Sequence, residues 1–144
     1  MIKFEKSVLI NRPQQEVFDF VTDLSNDSKW QSSIESVERL SDGPIGVGST
    51  WRYVTSLLGR KNEVDVQMTS YEPPHQSRVK AVGGSIPFEN THTFQAQDGG
   101  TLLTFTGQAE IGGFFKIAEG LAGKQIEKQM ESDAAALKKL LEAS

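Results

Sequence analysis

The chain has 144 residues, 37% of them hydrophobic and 24% charged, the balance of a globular protein rather than a disordered one. With 15 basic and 19 acidic residues its net charge is −4, which argues against a nucleic-acid partner. It contains no cysteine, so disulfides and thiolate chemistry are excluded.

The first residues, Met1-Ile2-Lys3-Phe4-Glu5-Lys6, lack the apolar run of a signal peptide, and no stretch approaches the roughly 20 apolar residues of a membrane span. The expectation is one cytoplasmic domain over residues 1–144, without stable membrane insertion. From Ile2 to Ile10, apolar Ile2, Phe4, Val8 and Ile10 stand against Lys3 and Glu5, the pattern of a half-buried strand. Asn11-Arg12-Pro13 ends it, and Pro13 suits the first position of a helix carrying Val17, Phe18, Phe20 and Val21. The polar run Ser25-Asn26-Asp27-Ser28-Lys29 leads to Trp30 through a second short helix. Strand signals then continue to about residue 111, broken by turn residues at regular intervals.

Side-chain parity tests how these strands pair. A turn at Gly59-Arg60 sets Trp51, Tyr53 and Thr55 opposite Met68, Val66 and Val64, with Ser56 facing Glu63 on the other side. A turn at Pro73-Pro74 sets Met68 and Val66 opposite Val79 and Ala81. A turn centred on Gly84-Ser85 sets Ala81, Val79 and Ser77 opposite Phe88, Asn90 and His92. Asp98-Gly99-Gly100-Thr101, a hairpin signal, pairs Phe94 with Phe105, His92 with Gly107 and Asn90 with Ala109. All four turns keep one continuous inner face, since a slip by one residue would invert a strand. The connections are too short for parallel crossovers, which leaves an antiparallel meander in an α+β fold.

From Ile111 to Ser144 the pattern is helical. Ile126, Met130, Ala134, Leu137 and Leu141 form a regular apolar stripe. The front of this helix carries Phe114, Phe115, Gly120 and Gly123, and each glycine costs about 1 kcal/mol relative to alanine. Under-packing there would leave helix and sheet enclosing space.

The whole chain resembles the polyketide cyclase/dehydrase proteins of the helix-grip superfamily, which also holds the birch-allergen and START-like lipid-transfer proteins. The resemblance is carried by Ile10-Asn11-Arg12-Pro13 with Glu16-Val17-Phe18, and by Trp30 after the second helix. It continues in Gly43-Pro44-Ile45-Gly46-Val47-Gly48-Ser49, Tyr71-Glu72-Pro73-Pro74, and Asp98-Gly99-Gly100-Thr101 with Leu103-Thr104-Phe105. It implies a seven-stranded antiparallel sheet curled around the C-terminal helix, with two short helices between strands 1 and 2. It also implies a cavity, but no particular reaction and no cofactor.

Strand parity sends three polar residues inward: Tyr53, Asn90 and His92. The expected wall adds Trp51, Val66, Met68, Val79, Ala81 and Phe88 from the early and middle strands. Phe94, Phe105, Phe114 and Leu121 complete it. The expected partner is a hydrophobic or aromatic small molecule, lipid- or polyketide-like. The competing expectation is a cyclase/dehydratase-type enzyme using His92 or Tyr53 for proton transfer, against which stands the lack of an acidic residue on the inner face near His92. A third is a scaffold whose interior is filled by side chains. Glu89 and His92 point to opposite faces of a strand and cannot chelate together, and His75 lies in a turn, so no metal site is expected. The glycines of residues 43–48 join two strands rather than open a helix, which favours a turn over a phosphate loop. Oligomeric state is not written in these patterns.

Overall fold

The alternation beginning at Ile2 forms a strand at one sheet edge, β1 (Ile2–Ile10). The structure, a computed structural model, describes residues 2–57, 60–83, 87–109 and 119–143. After β1 come α1 (Gln14–Thr22) and a 3₁₀ helix (Leu24–Lys29), then β2 (Ile34–Arg39) and β3 (Thr50–Leu57). The meander continues through β4 (Arg60–Glu72), β5 (Gln76–Gly83), β6 (Phe88–Gln97) and β7 (Gly100–Ala109), and α2 (Glu119–Glu142) follows. The seven strands form one sheet in the order β1-β7-β6-β5-β4-β3-β2, antiparallel throughout. The first two strands are therefore opposite edges, and the two short helices carry the chain from one to the other. This is the helix-grip arrangement, a curled sheet with a long C-terminal helix. Among the described residues no helix is long and apolar enough to cross a membrane.

The apolar stripe of α2 sets the packing. Ala134, Leu137 and Leu141 are buried with Ile10, Leu103 and Phe105 of the sheet and with Val17, Phe18 and Val21 of α1. Each such aliphatic or aromatic side chain contributes about 1.5–3 kcal/mol on full burial. The C-terminal end of α2 is closed from outside the helix: Arg12 Nε donates to the Leu141 carbonyl at 2.9 Å and Nη2 to that of Glu142 at 3.2 Å. A guanidinium there satisfies carbonyls that have no intrahelical partner and complements the helix dipole. Pro13 stands one residue earlier than expected, at the N-cap of α1, where its carbonyl accepts from Val17 N at 3.1 Å.

Two hairpin registers differ from the expectation by two residues. Trp51, Tyr53 and Thr55 pair with Val66, Val64 and Asn62, and Ser56 pairs with Lys61. In the last hairpin Phe94 faces Leu103, His92 faces Phe105 and Asn90 faces Gly107. Asp98 and Gly99 both have positive φ (52° and 79°), so a two-residue turn closes on the Gln97–Gly100 pair, one pair earlier than assumed. A shift of two preserves every inner face. The middle registers hold for Val66–Ala81, Met68–Val79, Val79–Asn90 and Ser77–His92. A bulge between Met68 and Ser70 reverses parity along β4, and Tyr71 packs 5.4 Å from Phe18, centroid to centroid. Gly43 and Gly48 take positive φ in the β2–β3 connection, which is a turn between strands.

Candidate functional site

Two hydrophobic clusters occupy the space against the sheet. One gathers α1, α2 and the strands around Leu103; the other gathers Leu24, Ile34, Trp51, Val66, Met68 and Val79. A pocket of about 320 Å³ opens between them and takes wall residues from both. Of the expected wall, Tyr53, Val66, Val79, Phe88, Asn90, His92 and Phe105 line it. Trp51 and Met68 do not, being fully buried in the cluster with Leu24 and Ile45. Phe94 is withdrawn as well, since Phe18 of α1 packs edge-on against it at 5.1 Å. Ala81 pairs with Val66 but lies outside the lining. Phe114 falls outside the described residues, as does the side chain of Leu121.

The helices supply what strand parity could not reveal. Leu24, Asp27 and Trp30 all line the pocket, and Met130 and Asp133 reach it from α2. A 3₁₀ helix repeats every three residues, so Leu24, Asp27 and Trp30 share one face. Read as a polar loop, the same residues give no such face. Their three-residue spacing was the available signal.

Asp27 and Tyr53 form the pocket's tightest polar contact: the tyrosine hydroxyl donates to Oδ2 at 2.5 Å. Both side chains are buried. Burial raises the Asp27 pKa to about 8; the Tyr53 bond works against that rise, and the nearby Asp23 charge adds to it. Trp30 Nε1 lies near the carboxyl and slightly favours its ionised form, yet closes no hydrogen bond. Tyr53 itself is pushed well above the usual phenol range, first by burial and then by Asp27. At neutral pH the pair is uncharged.

His92 is tuned the opposite way to the same result. Burial lowers its pKa to about 4, so the ring is neutral. Phe105 meets it edge-on at 5.2 Å, and Phe105 in turn lies 5.6 Å from Trp30. Asn90 sits across Gly107, and its Oδ1 is buried without a hydrogen-bond partner. On the other side of the pocket Asp133 Oδ1 accepts from Ser32 N at 3.2 Å and Ser32 Oγ at 3.3 Å. Acidic groups therefore stand on the same pocket as His92, brought by the helices and not by the inner face of the sheet, to which the expectation was confined. Glu89 lies 4.0 Å from Arg78, while His92 lines the pocket, so the two do not converge. Among the described residues no group of three or more metal-ligating side chains comes together.

The sequence profile of the family described as polyketide cyclase/dehydrase and lipid transport matches residues 1–142. The chain belongs to that family. No curated protein sequence matches it. Among solved structures, the polyketide cyclase/dehydrase-type chain is similar to TTHA0849 of Thermus thermophilus, at 22% identity, a TM-score of 0.84, and 99% of both chains covered. It is also similar to the Zhui aromatase/cyclase of a Streptomyces species, at 15% identity and a TM-score of 0.78, covering 95% of this chain and 91% of that one. A START superfamily protein from Mycobacterium smegmatis has 16% identity and a TM-score of 0.76, covering 97% and 99%.

At these identities the likeness is one of fold. An acid held protonated, a phenol and a neutral imidazole face an otherwise largely apolar space. Such a set can bind a polar atom within an apolar ligand, or pass a proton to and from it.

Proposed function

We propose that this protein binds a hydrophobic or aromatic small molecule, lipid- or polyketide-like, in the pocket between sheet and helices. The observation that carries this reading is the pocket itself, about 320 Å³ walled by side chains such as Leu24, Ile34, Val66, Phe88 and Met130. That is the small end of the roughly 300–1,000 Å³ range of small-molecule sites, which suits a one- or two-ring compound or a short acyl chain better than a diacyl lipid. Affinity would come from buried apolar area at about 25 cal/mol per Å², less the costs of association.

The reading is tested by native mass spectrometry of the purified protein and by uptake of an environment-sensitive naphthalene dye. Binding is expected in the wild type and lost in Val66→Trp, whose indole would fill the pocket. A folded wild-type protein that retains no compound and takes up no dye would remove the proposal.

One observation favours a second reading, an aromatase/cyclase-like enzyme. A protonated Asp27 and a neutral His92 on one pocket are an acid and a base in the states that general acid–base catalysis requires. Under that reading His92→Gln abolishes turnover while dye binding persists. Under the carrier reading the same variant alters affinity only.

A further inference from the structure

Around Asp27, at one end of the pocket, the polar groups are a carboxyl, a phenol and an indole N–H. Tyr53 spends its hydroxyl proton on Asp27 Oδ2. Asp27, protonated below about pH 8, keeps a second proton on the other oxygen. Trp30 Nε1, close to the same carboxyl, has no hydrogen-bond partner. The indole is itself buried, so the group of this set left to meet a ligand is the Asp27 carboxyl, whose second oxygen has no protein donor or acceptor described on it.

We propose that Asp27 and Tyr53 form a neutral donor site for one acceptor oxygen on the ligand, a carbonyl oxygen carried on an aromatic or acyl body, and that ionisation of this pair releases it. The proposal rests on the pocket-binding reading and names the chemistry of its polar contact. The surrounding charges restrict the class further. Asp23 precedes Asp27 on the same 3₁₀ segment and its charge opposes ionisation; His92 of β6 and Asp133 of α2 face the same pocket, while the carboxylate of Glu63, a β4 residue at its edge, turns to Arg52 at 3.5 Å. Among the described residues no lysine or arginine lines it. A carboxylate or phosphate ligand would find no counter-charge, so ketones, aldehydes, esters and lactones fit better than free acids. Once Asp27 ionises it becomes acceptor-only: it draws in the Tyr53 proton and turns a negative charge toward the ligand oxygen.

Two probes of nearly equal shape separate this from simple apolar binding: 2-acetylnaphthalene and its hydrocarbon counterpart 2-isopropenylnaphthalene, followed by quenching of tryptophan fluorescence in the intact chain. Near pH 6.5 the ketone is expected to bind about tenfold tighter than the hydrocarbon, one neutral hydrogen bond's worth. At about pH 9.5, above the Asp27 pKa, that preference should shrink to within about twofold. Asp27→Asn keeps an N–H donor but has no proton to lose, so its preference should persist at both pH values. The double variant Asp27→Leu/Tyr53→Phe, checked for folding by circular dichroism, should bind both probes equally. Equal binding of the two probes by the wild type at both pH values would overturn the donor site and leave the pocket reading standing. A ketone preference that survives the double variant would overturn it too. If the folded wild type binds neither probe, the pocket reading itself fails and the donor site with it.

Discussion

Tyr53 of β3 donates to Asp27 of the 3₁₀ helix across 2.5 Å, joining residues 26 apart in the chain. The bond ties the sheet to the segment that carries Trp30, and it does so as a neutral contact, because burial keeps the carboxyl protonated. His92 is neutral for the same physical reason acting on a base. Three titratable groups of the pocket are thus uncharged at neutral pH: burial raises Asp27 to about 8 and lowers His92 to about 4, and it pushes the Tyr53 phenol, neutral there in any case, further up. An apolar ligand then meets hydrogen-bonding atoms without the desolvation cost of charges.

This tuning predicts an unusual stability profile. The folded state holds the Asp27 proton up to about pH 8, whereas the unfolded chain releases it near the ordinary value of 3.8. Stability from this group is full below the lower value and falls as pH rises, by about 1.4 kcal/mol per pH unit across the interval. His92 titrates near 4 when folded and near 6.5 when unfolded, so its stabilising contribution is lost as pH falls below 6.5. The two slopes oppose one another from pH 4 to 6.5, and only the Asp27 slope remains from 6.5 to 8. Urea unfolding should therefore show stability declining between those upper values. Asp27→Asn should flatten the decline; a wild-type curve level over that range would contradict the assignment.

Tyr53→Phe isolates the bond. Because the tyrosine hydroxyl lowers the Asp27 pKa, its removal should move that carboxyl above about 8, measurable by carboxyl carbon NMR. With Asp27 neutral the loss of stability should be about 1 kcal/mol; above its pKa, where a buried charge loses its donor, about 1.5–3 kcal/mol. A variant in which the carboxyl titrates at the wild-type position would show that the bond does not reach the titrating state.

The fold was legible because each of its rules is local. Alternation at Ile2–Ile10, Asp98-Gly99 at a hairpin and the Ala134–Leu137–Leu141 stripe each state their element within a few residues. Parity survived two register errors because both were shifts of two. The pocket was less legible, for two reasons. Which inward residues face open space depends on what packs opposite: Met68 and Phe94 point inward like Val66, but Leu24 and Phe18 share their clusters and leave them no open surface. Polar groups on a six-residue 3₁₀ helix follow a three-residue period that a polar run such as Ser25–Lys29 conceals, so the run gave a short helix and no role for Asp27.

Gly107 makes a different kind of test, because its missing side chain shapes the wall. It lies between Phe4 of β1 and Asn90 of β6 in adjacent pairs of the sheet. A methyl group there would meet Asn90 Oδ1 at 2.5 Å and the end of the Phe4 ring closer still. Gly107→Ala should cost about 1–3 kcal/mol by overpacking. Phe4→Leu should relieve most of it, giving a coupling of about 1 kcal/mol in a double-mutant cycle. Independent effects of the two changes would mean that the ring moves aside without cost. Since Phe4 lines the pocket, dye affinity should change with Gly107→Ala and recover in the double variant.

Asp133 predicts a kinetic effect. Its carboxylate holds Ser32 through both the amide and the hydroxyl, and Gln129 reaches the same hydroxyl at 3.5 Å. These bonds fasten the segment between the 3₁₀ helix and β2 to α2, beside Gln31, Ser33 and Ile34 of the pocket wall. Asp133→Ala removes the acceptor for two donors and should cost about 1–2 kcal/mol in stability. The loosened wall should also let a bound dye leave faster, by a larger factor than it slows entry, because opening of the segment is then opposed by fewer bonds. Hydrogen exchange at the Ser32 amide would report the opening directly, and stopped-flow displacement the exit. Faster exchange with unchanged exit would mean that ligands leave past another part of the wall; unchanged exchange would show that packing of Ile34, and not the Asp133 carboxylate, holds the segment down.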